Sequence, residues 1–216
     1  MDFTAARRNM VDCQILPNQV DDERIIDALL EIPREKFVPD PLSGIAYVDE
    51  NIPVGNGRCV MEAMVIARLL QMASLSSEDM VLAIGCGTGY AVSILAKIVD
   101  TVVAVESDKV LVQKAAENFA AVGLNNIAVI EGNLSEGNIE QGPYDFIFFD
   151  GAVTKVPAKL FDQLTENGRL AAIVTNNVTS KACLYTRYGD LLAMREVFDA
   201  GTPLLPGFEE DEAFSF

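Results

Sequence analysis

Histidine is absent from this 216-residue chain, and that gap removes whole reaction classes. A Ser-His-Asp or Cys-His hydrolase cannot be assembled without an imidazole to carry the proton. The usual histidine-rich zinc sites are excluded as well, so no metal is expected. The four cysteines, Cys13, Cys59, Cys86 and Cys183, stand far apart and form no Cys-x-x-Cys pair. A chain of this length buries a full core without staples. The four therefore read as free thiols in a reducing compartment rather than as a disulfide framework. Basic residues are scarce: 16 Lys+Arg face 32 Asp+Glu, for a net charge of −16. Such a surface repels phosphate backbones and argues against a nucleic-acid partner. Long hydrophobic runs are missing too, and none approaches the roughly 18 residues of a membrane-spanning helix. Met1 to Arg8 carry no apolar stretch behind their arginines, as a leader peptide would. The expectation is a cytoplasmic protein with no membrane partner.

What is present is ordinary globular composition. Half of the residues are hydrophobic and 22% are charged, enough apolar surface for a packed core. The length suits about one domain with room for an appendage. Residues 1–75 read as a helical and turn-rich extension. Asp21-Asp22-Glu23 precede Ile25, Ile26, Leu29 and Leu30, the pattern of a helix start, and Pro33 ends it. Pro39, Pro41, Gly44, Pro53, Gly55 and Gly57 then punctuate a loop, and the spacing predicts a second helix over 61–73.

From Met80 the texture changes. Short apolar runs at 80–84, 101–105, 127–130, 144–149 and 169–174 predict strands. The segments 91–99, 109–122 and 156–164 between them predict helices, and a weaker stretch over 191–205 predicts a final strand or hairpin. Strands alternating with helices of about ten residues build βαβ units. The expected fold is therefore α/β. Residues 76–216 form a doubly wound, Rossmann-like, mostly parallel sheet, carrying the N-terminal helical extension, with ligands at the C-terminal strand ends. Glu209-Glu210-Asp211-Glu212 reads as a solvated acidic tail.

The most informative segment is Val81-Leu82-Ala83-Ile84-Gly85-Cys86-Gly87-Thr88-Gly89-Tyr90. A strand runs into Gly-x-Gly-x-Gly and then into a helix. Glycines let the backbone turn sharply and let a ligand approach where a Cβ would stand, and the N–H groups of a helix start face it. A dinucleotide fingerprint wants Gly-x-Gly-x-x-Gly. Here the third glycine comes one residue early, which disfavours a pyrophosphate. Glu106 follows the next strand, 21 residues beyond Gly85 (106 − 85), where a carboxylate accepts hydrogen bonds from ribose hydroxyls. Gly85, Gly87, Thr88, Gly89 and Glu106 are thus candidate cofactor residues. Asn133, in the loop after the third strand, is a further one that could meet an adenine edge. Asp150, at the C-terminal end of the fourth strand, stands where a transferred group would lie and is the catalytic candidate.

Strand, glycine loop, helix, strand and acid together resemble the class I S-adenosylmethionine-dependent methyltransferases. Outside that core, Ile32-Pro33-Arg34-Glu35-Lys36-Phe37-Val38-Pro39, Ala46-Tyr47-Val48-Asp49 and Ile52-Pro53-Val54-Gly55-Asn56-Gly57 resemble the N-terminal region of the protein-L-isoaspartate O-methyltransferases. Tyr144-Asp145-Phe146-Ile147, Gly168-Arg169-Leu170 and Pro203-Leu204 continue the likeness, which spans roughly residues 8 to 206. It implies S-adenosyl-L-methionine as cofactor, isoaspartyl-containing proteins or peptides as partners, and transfer of a methyl group to the isoaspartyl carboxylate as the reaction that starts repair of damaged proteins. A carboxylate is already ionised at neutral pH, so the reaction asks for positioning rather than a strong base. The lack of histidine is compatible with it.

Three positions depart from that family's pattern. In the substrate loop, Gly57 with Cys59, Met61 and Glu62, the positions Cys59 to Ala63 stand where the family carries Thr-Ile-Ser-hydrophilic-Pro after its Gly-x-Gly. Met61 removes the hydroxyl expected to touch the substrate carboxylate. Glu62 adds a like charge, worth on the order of 4 kcal/mol of repulsion at about 4 Å and an effective dielectric near 20. Arg58 is the adjacent cation able to neutralise it. Ala83 replaces an acid expected to hold the methionine end of the cofactor. Two further readings follow: a methyltransferase of the same fold with a neutral or cationic acceptor, and a non-catalytic protein that keeps the fold and the binding.

Overall fold

The computed structural model describes residues 1–176 and 178–209. Residues 210–212 of the acidic segment lie outside the described residues. In chain order, helix α1 (Phe3–Met10) starts where the Asp2 carboxylate accepts a hydrogen bond from the Ala5 N–H (3.0 Å). A π-helical turn and a 3₁₀ turn follow, and then α2 (Glu23–Glu31), capped in the same way by Asp22 on the Arg24 N–H. Such caps satisfy N–H groups that a helix start leaves without partners. The proline-rich stretch holds two 3₁₀ turns and a small hairpin of β1 (Ile52–Gly55) and β2 (Arg58–Val60). The sequence led us to expect plain loop there. Helix α3 covers Ala63–Met72, two residues later than its spacing predicts, because Glu62 is extended.

The remaining elements are β3 (Met80–Ile84), α4 (Tyr90–Ala96), β4 (Thr101–Glu106), α5 (Lys109–Ala121), β5 (Ile127–Glu131), β6 (Tyr144–Val153), α6 (Ala158–Phe161), β7 (Leu164–Thr175), β8 (Ser180–Tyr188) and β9 (Leu191–Asp199). The seven strands from β3 onward form one sheet in the order β5-β4-β3-β6-β7-β8-β9. The first five are parallel to one another; β8 and β9 join antiparallel. The doubly wound, mostly parallel arrangement is thus as expected.

Three further boundaries differ most, for physical reasons. Helix α6 has four residues, not nine. The Gln163 side chain donates to the Glu136 carbonyl (2.7 Å) and accepts from the Asn138 N–H (3.0 Å), so the chain turns early into the sheet. Strand β7 then begins at Leu164. Asn167-Gly168, which read as a helix stop, instead forms an irregularity within β7, with Asn167 at φ 63° and a register shift against β6. The final hairpin occupies 180–199 rather than 191–205; β8 carried too little alternation to be anticipated.

Both faces of the central strands are covered. Val81, Ala83, Val102, Ala104, Phe146 and Phe148 pack with Ile15, Leu29, Phe37 and α3 in the larger core. Leu82, Ile84, Val103, Val105, Ile147 and Phe149 pack on the other side with Leu160, Leu205 and Phe208. Alternate strand residues point to opposite faces. Glu106 therefore shares the side of Val102 and Ala104, where the N-terminal 75 residues lie.

Candidate active site

Strand β3 delivers the chain into the glycine loop, where Gly85, Gly87 and Gly89 adopt φ of 75°, 55° and 97°. At Gly89, which starts α4, the restriction is twofold. L-residues avoid that φ, and a Cβ would stand 2.5 Å from the Phe119 ring of α5. Gly89→Ala should therefore cost the fold about 2–4 kcal/mol, from backbone strain and overpacking together; urea denaturation checks it, and an unchanged midpoint would refute the account. At Gly85 a Cβ would meet Leu205 at 2.7 Å and the Arg58 guanidinium at 3.0 Å. Leu205 arrives on the strap that follows β9. The Ala152 N–H donates to the Pro203 carbonyl (3.0 Å), and the Leu205 N–H donates to the Ala152 carbonyl (2.8 Å).

Glu106 stands at the end of β4, fully buried. Its carboxylate accepts from the N–H groups of Gly87 (2.8 Å), Ser107 (2.8 Å) and Asp108 (3.2 Å). Arg58, the first residue of β2, places Nη1 at 2.9 Å from both carboxylate oxygens, while its Nη2 donates to the Gly85 carbonyl (2.5 Å). Arg58 therefore neutralises Glu106 and not Glu62, the carboxylate beside it in sequence. Nothing along the chain pairs it with Glu106. Sixteen cations were available, and only the β1–β2 hairpin brings this one over the glycine loop. Beside the pair lies a pocket of about 400 Å³ bounded by Asn56, Arg58, Glu106, Ser107, Asp108 and Pro206.

The substrate loop folds over the same sheet face. Met61 is fully buried, and Cys59 is half-buried with Sγ 3.5 Å from the Thr202 hydroxyl. Burial raises the thiols of Cys59 and Cys86 above their ordinary range, which keeps both protonated at neutral pH. Glu62 is pushed up to about 7, first by burial and then by Asp49.

Asp150 lies within β6 rather than at its end, beside the register shift between Phe148 and Ala152. It is buried, and its Oδ1 has no hydrogen-bond partner. Burial pushes its carboxyl up to about 7, Arg58 and Arg34 oppose that rise, and Glu106 adds to it. Tyr90 and Arg34 complete the surroundings. The Tyr90 hydroxyl is buried without a partner, and the Arg34 guanidinium stacks over the Tyr90 ring at 4.7 Å. Arg34 donates from Nε to the Ala46 carbonyl (2.6 Å), leaving both Nη groups unpartnered. Arg34, Tyr90 and Leu205 were given no role from the sequence; their burial around Asp150 and the glycine loop picks them out.

Two candidates have structural duties. The Thr88 hydroxyl donates to the Phe37 carbonyl (2.6 Å), tying the glycine loop to the N-terminal segment. The Asn133 side-chain oxygen accepts from the Ser135 N–H (2.9 Å) and hydroxyl (3.0 Å), closing a turn at the exposed end of β5. Ala83 is buried in the larger core.

A buried acid at a strand end, a loop where side chains would clash and a pocket against both are compatible with a nucleoside. A doubly wound sheet with this loop and this acid defines the class I methyltransferase fold. The sequence model of the Protein-L-isoaspartate(D-aspartate) O-methyltransferase family matches residues 6–199. Among similar curated proteins, the protein-L-isoaspartate O-methyltransferase of Methanoregula boonei is 36% identical over 183 residues, covering 85% of this chain and 84% of its own. That of a Roseiflexus species is 33% identical over 208 residues, covering 96% and 95%. A solved protein-L-isoaspartate O-methyltransferase superposes with a TM-score of 0.81 at 26% identity, covering 93% of this chain and 66% of its own. A Plasmodium falciparum structure in complex with S-adenosyl-L-homocysteine shares the fold, with a TM-score of 0.78 at 20% identity over 95% and 98%. The chain belongs to the protein-L-isoaspartate O-methyltransferase family, whose members are S-adenosylmethionine-dependent O-methyltransferases.

Proposed function

We propose that this chain methylates the free carboxylate of isoaspartyl residues in damaged proteins and peptides, working in the cytoplasm. Among the described residues no helix is long and apolar enough to cross a membrane. The observation that carries the reading is the family match over residues 6–199, together with the glycine loop and Glu106 beneath the substrate loop.

The Gly85–Gly89 backbone and the Glu106 carboxylate would hold the nucleoside, with Asn133 at its far side. When bound, the sulfonium supplies an electrophilic methyl group. Because the acceptor carboxylate is already ionised, methyl transfer to it would ask no proton transfer of the chain's own residues. The chain's own contribution is placement, and groups held in line account for much of such a rate. The loop from Gly57 to Glu62 covers the acceptor side and the buried walls exclude water.

Calorimetry with S-adenosylhomocysteine, followed in the same sample by turnover of an isoaspartyl peptide, tests the reading. Binding and turnover are expected. Binding without turnover on that peptide would favour the second reading, a different acceptor; Glu62 and the net charge of −16 are the observations that motivate it. No binding would overturn both.

A further inference from the structure

We propose that Asp150, in its protonated form, is the hydrogen-bond donor that receives the acceptor carboxylate, in place of the hydroxyl that Met61 removes. The inference rests on the proposed isoaspartyl reading and deepens it.

The geometry comes first. Cys59, Met61, Cys86, Thr88, Tyr90 and Asp150 line a narrow crevice under the substrate loop and against the glycine loop. Two of its walls present buried polar atoms without a well-formed hydrogen bond, Asp150 Oδ1 and the Tyr90 hydroxyl, the latter beside the Arg34 guanidinium. A native core satisfies nearly all its buried polar groups, and exceptions concentrate where a ligand completes them. Here the exceptions cluster at one spot, with the two unpartnered Nη groups of Arg34 close enough to act on Asp150. The crevice is tighter than a water molecule. An acceptor therefore enters only as the Cys59–Met61 edge shifts, and that edge belongs to a two-stranded hairpin outside the main sheet.

The charge balance then decides which form of Asp150 works. Facing it are Arg58 and Cys59 from β2, Glu106 from β4, Cys86 from the glycine loop, Tyr90 from α4 and Arg34 from the 3₁₀ turn. Arg58 is committed to Glu106, so that pair is neutral. Both thiols and the phenol are held protonated by burial. Arg34 is then the cation facing Asp150 without a committed partner, and Asp150 changes charge near neutrality; Glu62, which Arg34 also attracts, titrates in the same range, so the Glu62→Gln profile separates the two. With Asp150 protonated, the crevice is positive and offers an O–H to an anion. With Asp150 ionised, the crevice is neutral overall and sets a carboxylate against the acceptor. A carboxylic acid kept neutral so that it can donate is an established use of burial. The acceptor's own carboxyl, at an ordinary pKa near 4, stays ionised throughout.

The test is the pH profile of kcat/KM with an isoaspartyl peptide, read as S-adenosylhomocysteine released so that hydrolysis of the ester does not intrude. Wild type should fall roughly 20-fold between pH 6.5 and 8.5, following the loss of one proton with a pKa near 7. Asp150→Asn keeps a donor that does not titrate. It should lower the pH 6.5 value several-fold and flatten the profile, leaving the variant the faster enzyme at pH 8.5. Glu62→Gln should keep the wild-type slope. Calorimetric affinity for the peptide, with S-adenosylhomocysteine bound, should show the same pattern without turnover. A D150N profile as steep as wild type, or a flat E62Q profile, overturns the assignment while leaving isoaspartyl activity in place. A wild type that neither binds nor methylates the peptide at pH 6.5 overturns the isoaspartyl reading and this assignment together.

Discussion

Glu106→Gln should destabilise the protein by about 3–5 kcal/mol, more than any other single change at the site, because it strands a buried guanidinium. Arg58 is 4% exposed in its side chain and Glu106 is 0% exposed. With the carboxylate gone, Arg58 keeps only its bond to the Gly85 carbonyl. The N–H groups of Gly87, Ser107 and Asp108 would meet a weaker acceptor, with an NH₂ where an oxygen was. Most of that cost is an uncompensated charge, so it should largely disappear in the double variant Arg58→Met with Glu106→Gln. The coupling read from such a cycle should exceed 2 kcal/mol, since contacting charges are far from additive. Urea denaturation of the four proteins measures it, and additivity within about 0.5 kcal/mol would refute a buried pair. The same carboxylate is the proposed ribose acceptor. E106Q should therefore also weaken S-adenosylhomocysteine about 10- to 100-fold, the range of a hydrogen bond to a charged group.

The second large effect is a stability that falls with pH. Asp150 titrates at about 7 in the folded chain against an ordinary 3.8. Over the window between those values the native protein holds a proton that the unfolded chain has released. Raising the pH through that window therefore favours unfolding, and the loss is complete above about pH 7. A shift of this size corresponds to about 4 kcal/mol overall. Roughly 3 of these fall between pH 5 and pH 8. Asp150→Asn removes the titration, so from pH 5 to pH 8 the wild type should lose about 3 kcal/mol relative to the variant. Urea midpoints at four pH values decide it; parallel curves would mean that Asp150 is not ionising in the core. Glu62 acts in the same direction, and being partly exposed it should contribute less. The fold thus keeps, at its proposed acceptor site, a group that costs it stability at neutral pH, as functional sites commonly do.

Much of this was legible in the chain itself. Runs of apolar residues flanked by turn signals placed β3 and β4 within a residue of their ends, because strands buried on both faces must be apolar throughout. The glycine loop could be read because positive φ at three nearby positions admits little else. Local information failed where tertiary contacts overrode it. Asn167-Gly168 punctuates a strand, not a helix end, because the pairing of β6 with β7 absorbs the extra residues.

The sequence by itself determined the alternation of strands and helices, the position of the glycine loop and the acid that follows it. All of these depend on residues near one another along the chain. Only the tertiary structure decided the chemistry around them. Arg58 reaches Glu106 across 48 positions of sequence. Asp150 becomes a proton-holding group only when the N-terminal segment, with Arg34 and the substrate loop, is laid over its strand. A carboxyl's pKa is set by how much water and which charges surround it, and no spacing of residues along one strand specifies either.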